Sequence, residues 1–254
     1  MRLKFLLLLV PIFFLTACVP TGAVQPSPTG TATEMPPSTA TIDWFPATST
    51  PDVQPTPVPS PTPNSFSSLG DVIFEDRFST SEGWNVSRSS RGEISIAGSE
   101  INIVINQPNS YLYAYREKPD LENYFVQIRS NLSLCSGRDE YGLLFRLTND
   151  QNFYRYSLSC SGEVRLEKVS AGGVTTLQPW TRSASVPVGA PSKSSLEVLA
   201  QGQEMSFFVN GDLQFKAVDE ELKIGSFGVF GKSTGDSAYT VSFSDLVVMS
   251  LEED

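Results

Sequence analysis

Apolar and polar residues alternate with a period of two through most of the chain from residue 71 onward. In YFVQIRSNLSL, Tyr124, Val126 and Ile128 fall on one side of an extended chain, and Gln127 and Arg129 fall on the other. Such alternation is typical of half-buried β-strands, whereas an amphipathic helix repeats every 3.6 residues. No helical pattern of any length interrupts it. The sequence therefore predicts a domain built from strands.

The spacing of the strand-like runs indicates the class of fold. The segment FFVNGDLQFK places Asn210-Gly211 between two alternating runs, the strongest short-range signal for a β-hairpin. We predict an all-β sandwich or jelly roll of two antiparallel sheets. The predicted strands are 71–78, 92–96, 100–106, 111–115, 124–134, 140–148, 152–160, 163–169, 174–178, 194–201, 205–210, 213–217, 225–230 and 238–249.

The N-terminus carries the features of an export signal. Arg2 and Lys4 precede an apolar run over residues 6–15, which is shorter than the roughly 20 residues of a membrane-spanning helix. Leu15-Thr16-Ala17-Cys18 resembles the lipobox of bacterial lipoproteins. The resemblance implies that residues 1–17 are removed and that Cys18 carries the lipid, which anchors the protein to a membrane on its extracytoplasmic side. A coincidental cysteine after a plain signal peptide is the alternative.

Residues 18–65 have the composition of a stalk. Of the residues from 19 to 65, 12 are proline, 10 threonine and 5 serine. A segment of this kind cannot bury enough apolar surface to offset the entropy of ordering it. We predict a disordered, extended linker that holds a β-sandwich domain, residues 66–254, away from the membrane.

Composition excludes several classes of function. The chain has no histidine, which removes Ser-His-Asp and Cys-His catalysis as well as histidine metal sites. The net charge of −10 should repel phosphate backbones, so nucleic acid is not an expected partner. No cofactor is expected, and calcium is the one metal left open. Its candidate oxygen ligands, which form no clustered Asp-x-Asp-x-Asp loop, are Asp76, Asp139, Asp150, Asp236 and Asp245.

Cys135 and Cys160 lie at the ends of two predicted strands, 124–134 and 152–160. An exported protein permits a disulfide, and we predict one between them, with two free thiols as the alternative. A meander through 140–148 would place the cysteines at the same end but two strand steps apart. That separation exceeds the reach of a disulfide unless the intervening loop curls over.

Five segments together resemble a known family: FEDRFSTSEGW (74–84), DEYGLLFRLTNDQNFYRYSLSCSGEVRLEKV (139–169), SFFVNG (206–211), GSFGVFG (225–231) and VSFSDLVV (241–248). They resemble the concanavalin A-like, or laminin G-like, jelly rolls of bacterial surface proteins. The branch they are most similar to is domain of unknown function 1080, the 3-keto-disaccharide hydrolase-like group. The resemblance spans about residues 71–249 and implies the fold. Glycosidases of this fold class carry Glu-x-Asp-x-x-Glu on one strand, and no such string occurs here.

Several aromatic and arginine side chains are candidates for sugar binding, which uses flat aromatic rings beside hydrogen-bonding groups. Packing in the core is the alternative for most of them, and Trp180 falls in a predicted loop. The candidates are Tyr111, Tyr113, Tyr154, Trp180, Arg146 and Arg155.

From these features we hypothesise a surface-anchored, non-catalytic binding module for carbohydrate or cell-envelope polysaccharide. The alternatives are a glycoside hydrolase-like enzyme and an ectodomain that binds a protein partner. Two carboxylates brought by the fold to within about 5 to 10 Å of each other would favour the enzyme.

Overall fold

The computed structural model describes Phe66, residues 69–235 and residues 238–252. In this part of the chain all regular structure is β-strand, and no helix is long and apolar enough to cross a membrane. The predictions for the signal peptide, Cys18 and the stalk concern residues outside the described ones. The strands are β1 (Leu69–Asp76), β2 (Arg88–Ser89), β3 (Gly92–Ala97), β4 (Glu100–Ile105), β5 (Tyr111–Tyr115), β6 (Tyr124–Leu134), β7 (Glu140–Asn149), β8 (Asn152–Ser159), β9 (Glu163–Ser170), β10 (Gly173–Arg182), β11 (Ser192–Gln201), β12 (Glu204–Val209), β13 (Asp212–Val218), β14 (Ser226–Lys232) and β15 (Tyr239–Leu251).

The strands form two antiparallel sheets. The larger has nine strands in the order β13-β12-β11-β6-β15-β4-β3-β2, and β1 adds to it by pairing with β15. The smaller has six strands in the order β10-β9-β8-β7-β14-β5. The prediction of an all-β sandwich of two antiparallel sheets is confirmed.

The main hydrophobic core lies between the two sheets. Ile101 and Ile103 of β4 contribute from the nine-stranded sheet, and Leu143 and Phe145 of β7 contribute from the six-stranded sheet, all fully buried. Because successive side chains of a strand point to opposite faces, the alternate residues of β7 point away from this core. Those alternate residues lie on the outer face of the six-stranded sheet, which carries the candidate site.

The hairpin predicted at Asn210-Gly211 is present. Val209 of β12 pairs with Asp212 of β13, and the two turn residues have φ angles of +53° and +83°. Positive φ at both central positions is the geometry of a type I′ turn, which Asn-Gly favours. Each predicted run overlaps a strand of the structure, whereas β2 was not predicted because two residues are too few to show alternation.

The predicted disulfide is confirmed, and the runs 124–134, 140–148 and 152–160 do not form the meander that would have put it out of reach. Cys135 and Cys160 are bonded, with their Cα atoms 6.1 Å apart. Cys135 follows β6 in the nine-stranded sheet, whereas Cys160 follows β8 in the six-stranded sheet. The chain changes sheets between β6 and β7, so the bond joins facing sheets and needs no reach across an intervening strand.

Candidate functional site

A second apolar cluster covers the outer face of the six-stranded sheet, on the side away from the main core. Leu144, Phe153, Phe230 and their neighbours are buried there, with three tyrosines of β5 packed against them. The outer face of a sandwich sheet is commonly polar and solvated, whereas this one carries a buried apolar cluster. The nine-stranded sheet also buries Phe125 and Phe208 outside the main core. We call this surface the tyrosine–arginine face, defined by Tyr111, Tyr113, Tyr115, Glu140, Leu144, Arg155, Ser157, Arg165, Glu167, Trp180, Phe230 and Lys232.

Strand register brings residues distant in sequence into rows across this face. One row runs through Tyr113, Phe230, Gly142, Ser157 and Arg165, one residue from each of five neighbouring strands. Gly142 lies at its centre. A Cβ atom there would lie 1.9 Å from the carbonyl oxygen of a β8 residue and 3.0 Å from the Phe230 ring. Glycine therefore allows Phe230 to lie close against β7.

Five charged side chains form one connected chain of ion pairs on the face. Lys232 Nζ lies 2.9 Å from Glu140 Oε1, and Glu140 Oε2 lies 2.5 Å from Arg165 Nη2. The same Arg165 Nη2 lies 3.0 Å from Glu167 Oε2, which also accepts from Arg155 Nη2 at 2.5 Å. The carboxylates are only 4% and 7% exposed, whereas Lys232 is 35% exposed. Low exposure reduces solvent screening and strengthens these ion pairs.

The tyrosines and Arg155 form the aromatic part of the face. Tyr111 and Tyr113 stack with centroids 5.4 Å apart, and the Arg155 guanidinium carbon lies 5.4 Å from the Tyr111 centroid. Burial raises the pKa of the Tyr111 hydroxyl to about 12, because a low-dielectric environment disfavours the phenolate. Tyr111 is therefore neutral at physiological pH and its hydroxyl is able to donate a hydrogen bond.

Trp180 lies on the same face, and its predicted position in a loop is wrong. It belongs to β10, where the register with β9 shifts on either side of Gln178. The half-buried Trp180 ring lies over the Arg165 guanidinium, with 4.4 Å between that group and the ring centroid. Such a cation–π contact orients both side chains. The irregular register hides the strand from a simple period-two pattern.

Three buried polar atoms of the tyrosine–arginine face have no hydrogen-bond partner. They are Tyr111 Oη, Ser157 Oγ and Arg165 Nε. Buried polar groups in folded proteins are usually paired, so each exception calls for an explanation. Three exceptions on one face indicate a surface that carries hydrogen-bonding capacity beyond what the protein itself uses.

Two of the sequence candidates, Arg146 and Tyr154, lie in the interior and not on this face. Both are fully buried. Arg146 donates to three backbone carbonyls, and the Tyr154 hydroxyl donates to Asp219 Oδ1 at 2.6 Å. Neither side chain is available to a ligand in this structure. Asp219 also pairs with Lys168 at 2.6 Å.

The structure brings together four of the candidates, Tyr111, Tyr113, Trp180 and Arg155. Glu140, Arg165, Glu167 and Lys232 were not predicted as partners of one another. A signal was present, because each alternates with core residues of its own strand and so had to lie on the outer face. Among residues 69–235 and 238–252, no three His, Cys, Asp or Glu side chains are grouped to hold a metal ion.

Comparison with solved structures shows a fold shared with other β-sandwich proteins at low sequence identity. The carbohydrate-binding module CBM66 from Bacillus subtilis superimposes with a TM-score of 0.53 at 17% identity, over 66% of this chain and 96% of that one. A protein of unknown function with a galectin-like fold from Bacillus subtilis superimposes with a TM-score of 0.56 at 11% identity, over 73% of this chain and 99% of that one. The catalytic domain of a laminarinase from Thermotoga petrophila superimposes with a TM-score of 0.52 at 9% identity, over 72% of this chain and 98% of that one.

No protein-family model and no curated protein matches the chain. At identities this low, structural similarity shows a shared fold and no more. The concanavalin A-like part of the sequence resemblance is thus supported as a fold, and the finer branch is not.

Proposed function

We propose that the protein is a carbohydrate-binding module and that the tyrosine–arginine face is its binding surface. The observation that carries the proposal is the combination of aromatic rings, ion-paired polar groups and three unpaired polar atoms on one sheet face. Sugars have apolar ring faces that stack on aromatic side chains, and hydroxyls that exchange hydrogen bonds with charged groups. Similarly folded proteins include a carbohydrate-binding module and a laminarinase, which supports this ligand class.

The proposal assigns Trp180 the role of a stacking platform. Its ring is half-buried and held in one orientation by the Arg165 guanidinium. A ring that is already ordered loses little side-chain entropy when a sugar stacks on it, which favours binding. Trp180 is therefore the side chain whose removal should weaken binding most clearly.

The test is affinity electrophoresis and calorimetry of the full chain, in detergent, against neutral and acidic polysaccharides. We expect saturable binding to at least one polymer and a loss of about tenfold or more in affinity for Trp180→Ala, because a buried aromatic anchor contributes at least about 1.4 kcal/mol. Trp180→Phe keeps an aromatic ring, and its affinity should lie between those of the parent protein and Trp180→Ala. Lys193→Gln changes the other sheet and should bind like the parent protein. Absence of binding to every polymer would refute the module.

Glycoside hydrolysis is a second candidate, and one distance favours it. Glu140 Oε2 and Glu167 Oε2 both contact Arg165 Nη2, at 2.5 and 3.0 Å, so the two oxygens lie no further apart than those distances combined. Retaining glycosidases hold their two carboxylates about 5 to 5.5 Å apart. Arg165 between the two carboxylates argues against hydrolysis, because it occupies oxygens that catalysis needs free.

Release of reducing ends separates the two candidates. For a hydrolase, the full chain should cleave a polymer that it binds, and Glu140→Gln and Glu167→Gln should each lower the rate at least about a hundredfold. For a module, the protein should bind without any release of reducing ends.

We further propose that Cys18 carries a lipid and that the stalk, residues 18–65, displays the β-sandwich on the extracytoplasmic side of a membrane. The support is the sequence Leu15-Thr16-Ala17-Cys18 behind a short apolar run. Cys18→Ala should leave the precursor unprocessed or release the protein from membranes on fractionation. Full membrane partitioning of a processed Cys18→Ala protein at unchanged mass would contradict the lipid anchor.

A further inference from the structure

The chain of ion pairs on the tyrosine–arginine face begins and ends with a cation. Its order is Lys232, Glu140, Arg165, Glu167 and Arg155, so three positive groups share two carboxylates. The neighbouring pair of Arg138 and Glu163 is balanced within itself. Within this chain of ion pairs one positive charge is therefore left over, although burial and the nearby Asp150 carboxylate raise the pKa of Tyr113 and the whole protein has a net charge of −10.

Both ends of this chain of ion pairs meet at Tyr111. Lys232 is the direct cross-strand partner of Tyr111, and the Arg155 guanidinium carbon lies 5.4 Å from the Tyr111 ring centroid. The hydroxyl of Tyr111 is buried and makes no hydrogen bond of ordinary geometry, although the nearby Arg155 guanidinium partly offsets the rise that burial causes in its pKa. The ion pairs of Arg155 use Nε and Nη2, and the one hydrogen bond of Lys232 leaves two of its three N–H groups unused within the described residues. Lys232 and Arg155, the two cations next to Tyr111, thus keep N–H donors that the described residues do not use.

We propose that the region around Tyr111 binds an anionic substituent of a polysaccharide, a carboxylate or a sulfate, which bridges Lys232 and Arg155 and accepts from Tyr111 Oη. This inference rests on the proposed carbohydrate-binding function and names the chemical class of its ligand. An anion placed there would extend the alternating order of charges and close it into a ring. It would also pair the orphaned hydroxyl.

A neutral sugar explains these observations less well. Its hydroxyls would accept hydrogen bonds from Tyr111 and Lys232, but they would leave the surplus cation without a counter-charge. Partly buried charges are unfavourable unless they are paired, and hydrogen bonds between charged groups are about twice as strong as neutral ones. Carboxylate and sulfate oxygens match both the guanidinium and the ammonium donors.

The experiment uses pairs of polymers that share a sugar backbone and differ in their anionic substituent, with the full chain in detergent and calorimetry as the measurement. Polygalacturonate is compared with its methyl ester, and dextran sulfate with dextran. We expect binding to at least one acidic member that is at least about tenfold tighter than to its neutral partner, and weaker at high salt. The two acidic polymers distinguish a carboxylate from a sulfate ligand.

Two variants locate the site, and a third controls for net charge. Lys232→Gln should weaken binding of the acidic polymer about tenfold, and Tyr111→Phe, which removes one oxygen atom, should weaken it several-fold. Lys193→Gln makes the same charge change on an exposed residue of the other sheet and should leave affinity within about twofold.

Each other outcome overturns the inference. Equal binding of acidic and neutral polymers that is weakened by Trp180→Ala would leave the module standing and remove the anion site. Equal losses in Lys232→Gln and Lys193→Gln would mean non-specific attraction to polyanions. No binding of any polymer would refute the carbohydrate-binding function together with the anion site.

Discussion

Arg146 is an arginine that serves the fold. Its guanidinium donates to the carbonyls of Leu222 and Glu122 at 3.1 Å and of Gly202 at 2.6 Å. These carbonyls belong to three connecting segments at one end of the sandwich, outside the strands. Arg146 itself has a φ angle of +46°, a conformation that non-glycine residues seldom adopt. Three hydrogen bonds to a buried cation offset that strain and tie the segments together.

Replacing Arg146 should therefore destabilise the protein. Arg146→Met keeps most of the side-chain length but leaves three carbonyls without a donor, and we expect the free energy of unfolding to fall by about 3 kcal/mol. Urea unfolding followed by tryptophan fluorescence measures the change. Arg129→Met removes an exposed ion pair with Asp245 and should alter stability by less than about 1 kcal/mol. Similar values for the two variants would show that Arg146 has no structural role.

Glu197 is a buried carboxylate on the outer side of the nine-stranded sheet. It is 2% exposed and accepts from Gln127 Nε2 at 3.2 Å and from the backbone N–H of Gly211 at 3.4 Å. Burial raises its pKa above the ordinary value, because desolvation disfavours the charged form. The folded state therefore binds this proton more tightly than the unfolded chain does.

The raised pKa of Glu197 predicts a pH-dependent effect of Glu197→Gln. The stability that the protonated carboxyl contributes is fully present below its unfolded pKa and is lost as pH rises through the higher folded value. Glutamine is neutral at all pH values, so the stability of the variant lacks this pH-dependent contribution. The stability of the parent protein relative to Glu197→Gln should thus fall in urea unfolding as pH rises above the ordinary carboxyl pKa of 4.5. A constant difference as pH rises would contradict the prediction.

At the scale of the strand pair, Gly142 leaves no room for a side chain between β7 and β8. A Cβ atom there would lie 1.9 Å from the carbonyl oxygen of Tyr156, which is rigid backbone of β8. We expect Gly142→Ala to lower the free energy of unfolding by about 3 kcal/mol, because the strands must separate to accept the methyl group. Thermal unfolding measures the change. Gly173→Ala, whose Cβ would lie 3.4 Å from its nearest neighbour, should stay within about 0.5 kcal/mol of the parent protein.

At the same scale, β10 shows where pattern analysis of a strand breaks down. Its pairing with β9 changes register between Thr176 and Gln178 and again between Gln178 and Thr181. Each shift adds residues on one strand and reverses the side-chain alternation beyond it. The period-two pattern therefore ends at residue 178, although the strand continues to Arg182 and so brings Trp180 onto the tyrosine–arginine face.

At the scale of the whole molecule, the disulfide is a covalent link between the two sheets in the described part of the chain. Cys135 and Cys160 are 25 residues apart in sequence, and a closed loop of that length restricts the unfolded chain. The loop-entropy relation gives about 3 to 4 kcal/mol of stabilisation. The double variant Cys135→Ala/Cys160→Ala should lose about that much free energy of unfolding in urea. Reductant should lower the free energy of unfolding of the parent protein by a similar amount. No effect of either treatment would show that the bond contributes nothing to stability.

The sequence by itself determined what is local. Alternation of period two predicted the strands and which residues of each strand share a face, and Asn210-Gly211 predicted the hairpin between β12 and β13. It also placed Tyr111 and Tyr113 together, because residues two apart on a strand must lie on the same side. These outcomes depend on the geometry of a few consecutive residues, which the chain carries in its order.

The tertiary structure decided which strands are neighbours and which of the two faces of each strand meets the core. Alternation is the same in both sheets, so nothing local showed that the chain changes sheets between β6 and β7, or that Arg146 and Tyr154 point inward. The chain of ion pairs from Lys232 to Arg155 joins residues of β14, β7, β9 and β8. Such contacts arise only when distant segments pack together, since long-range pairing is selected by the burial of the whole domain and not by any one segment.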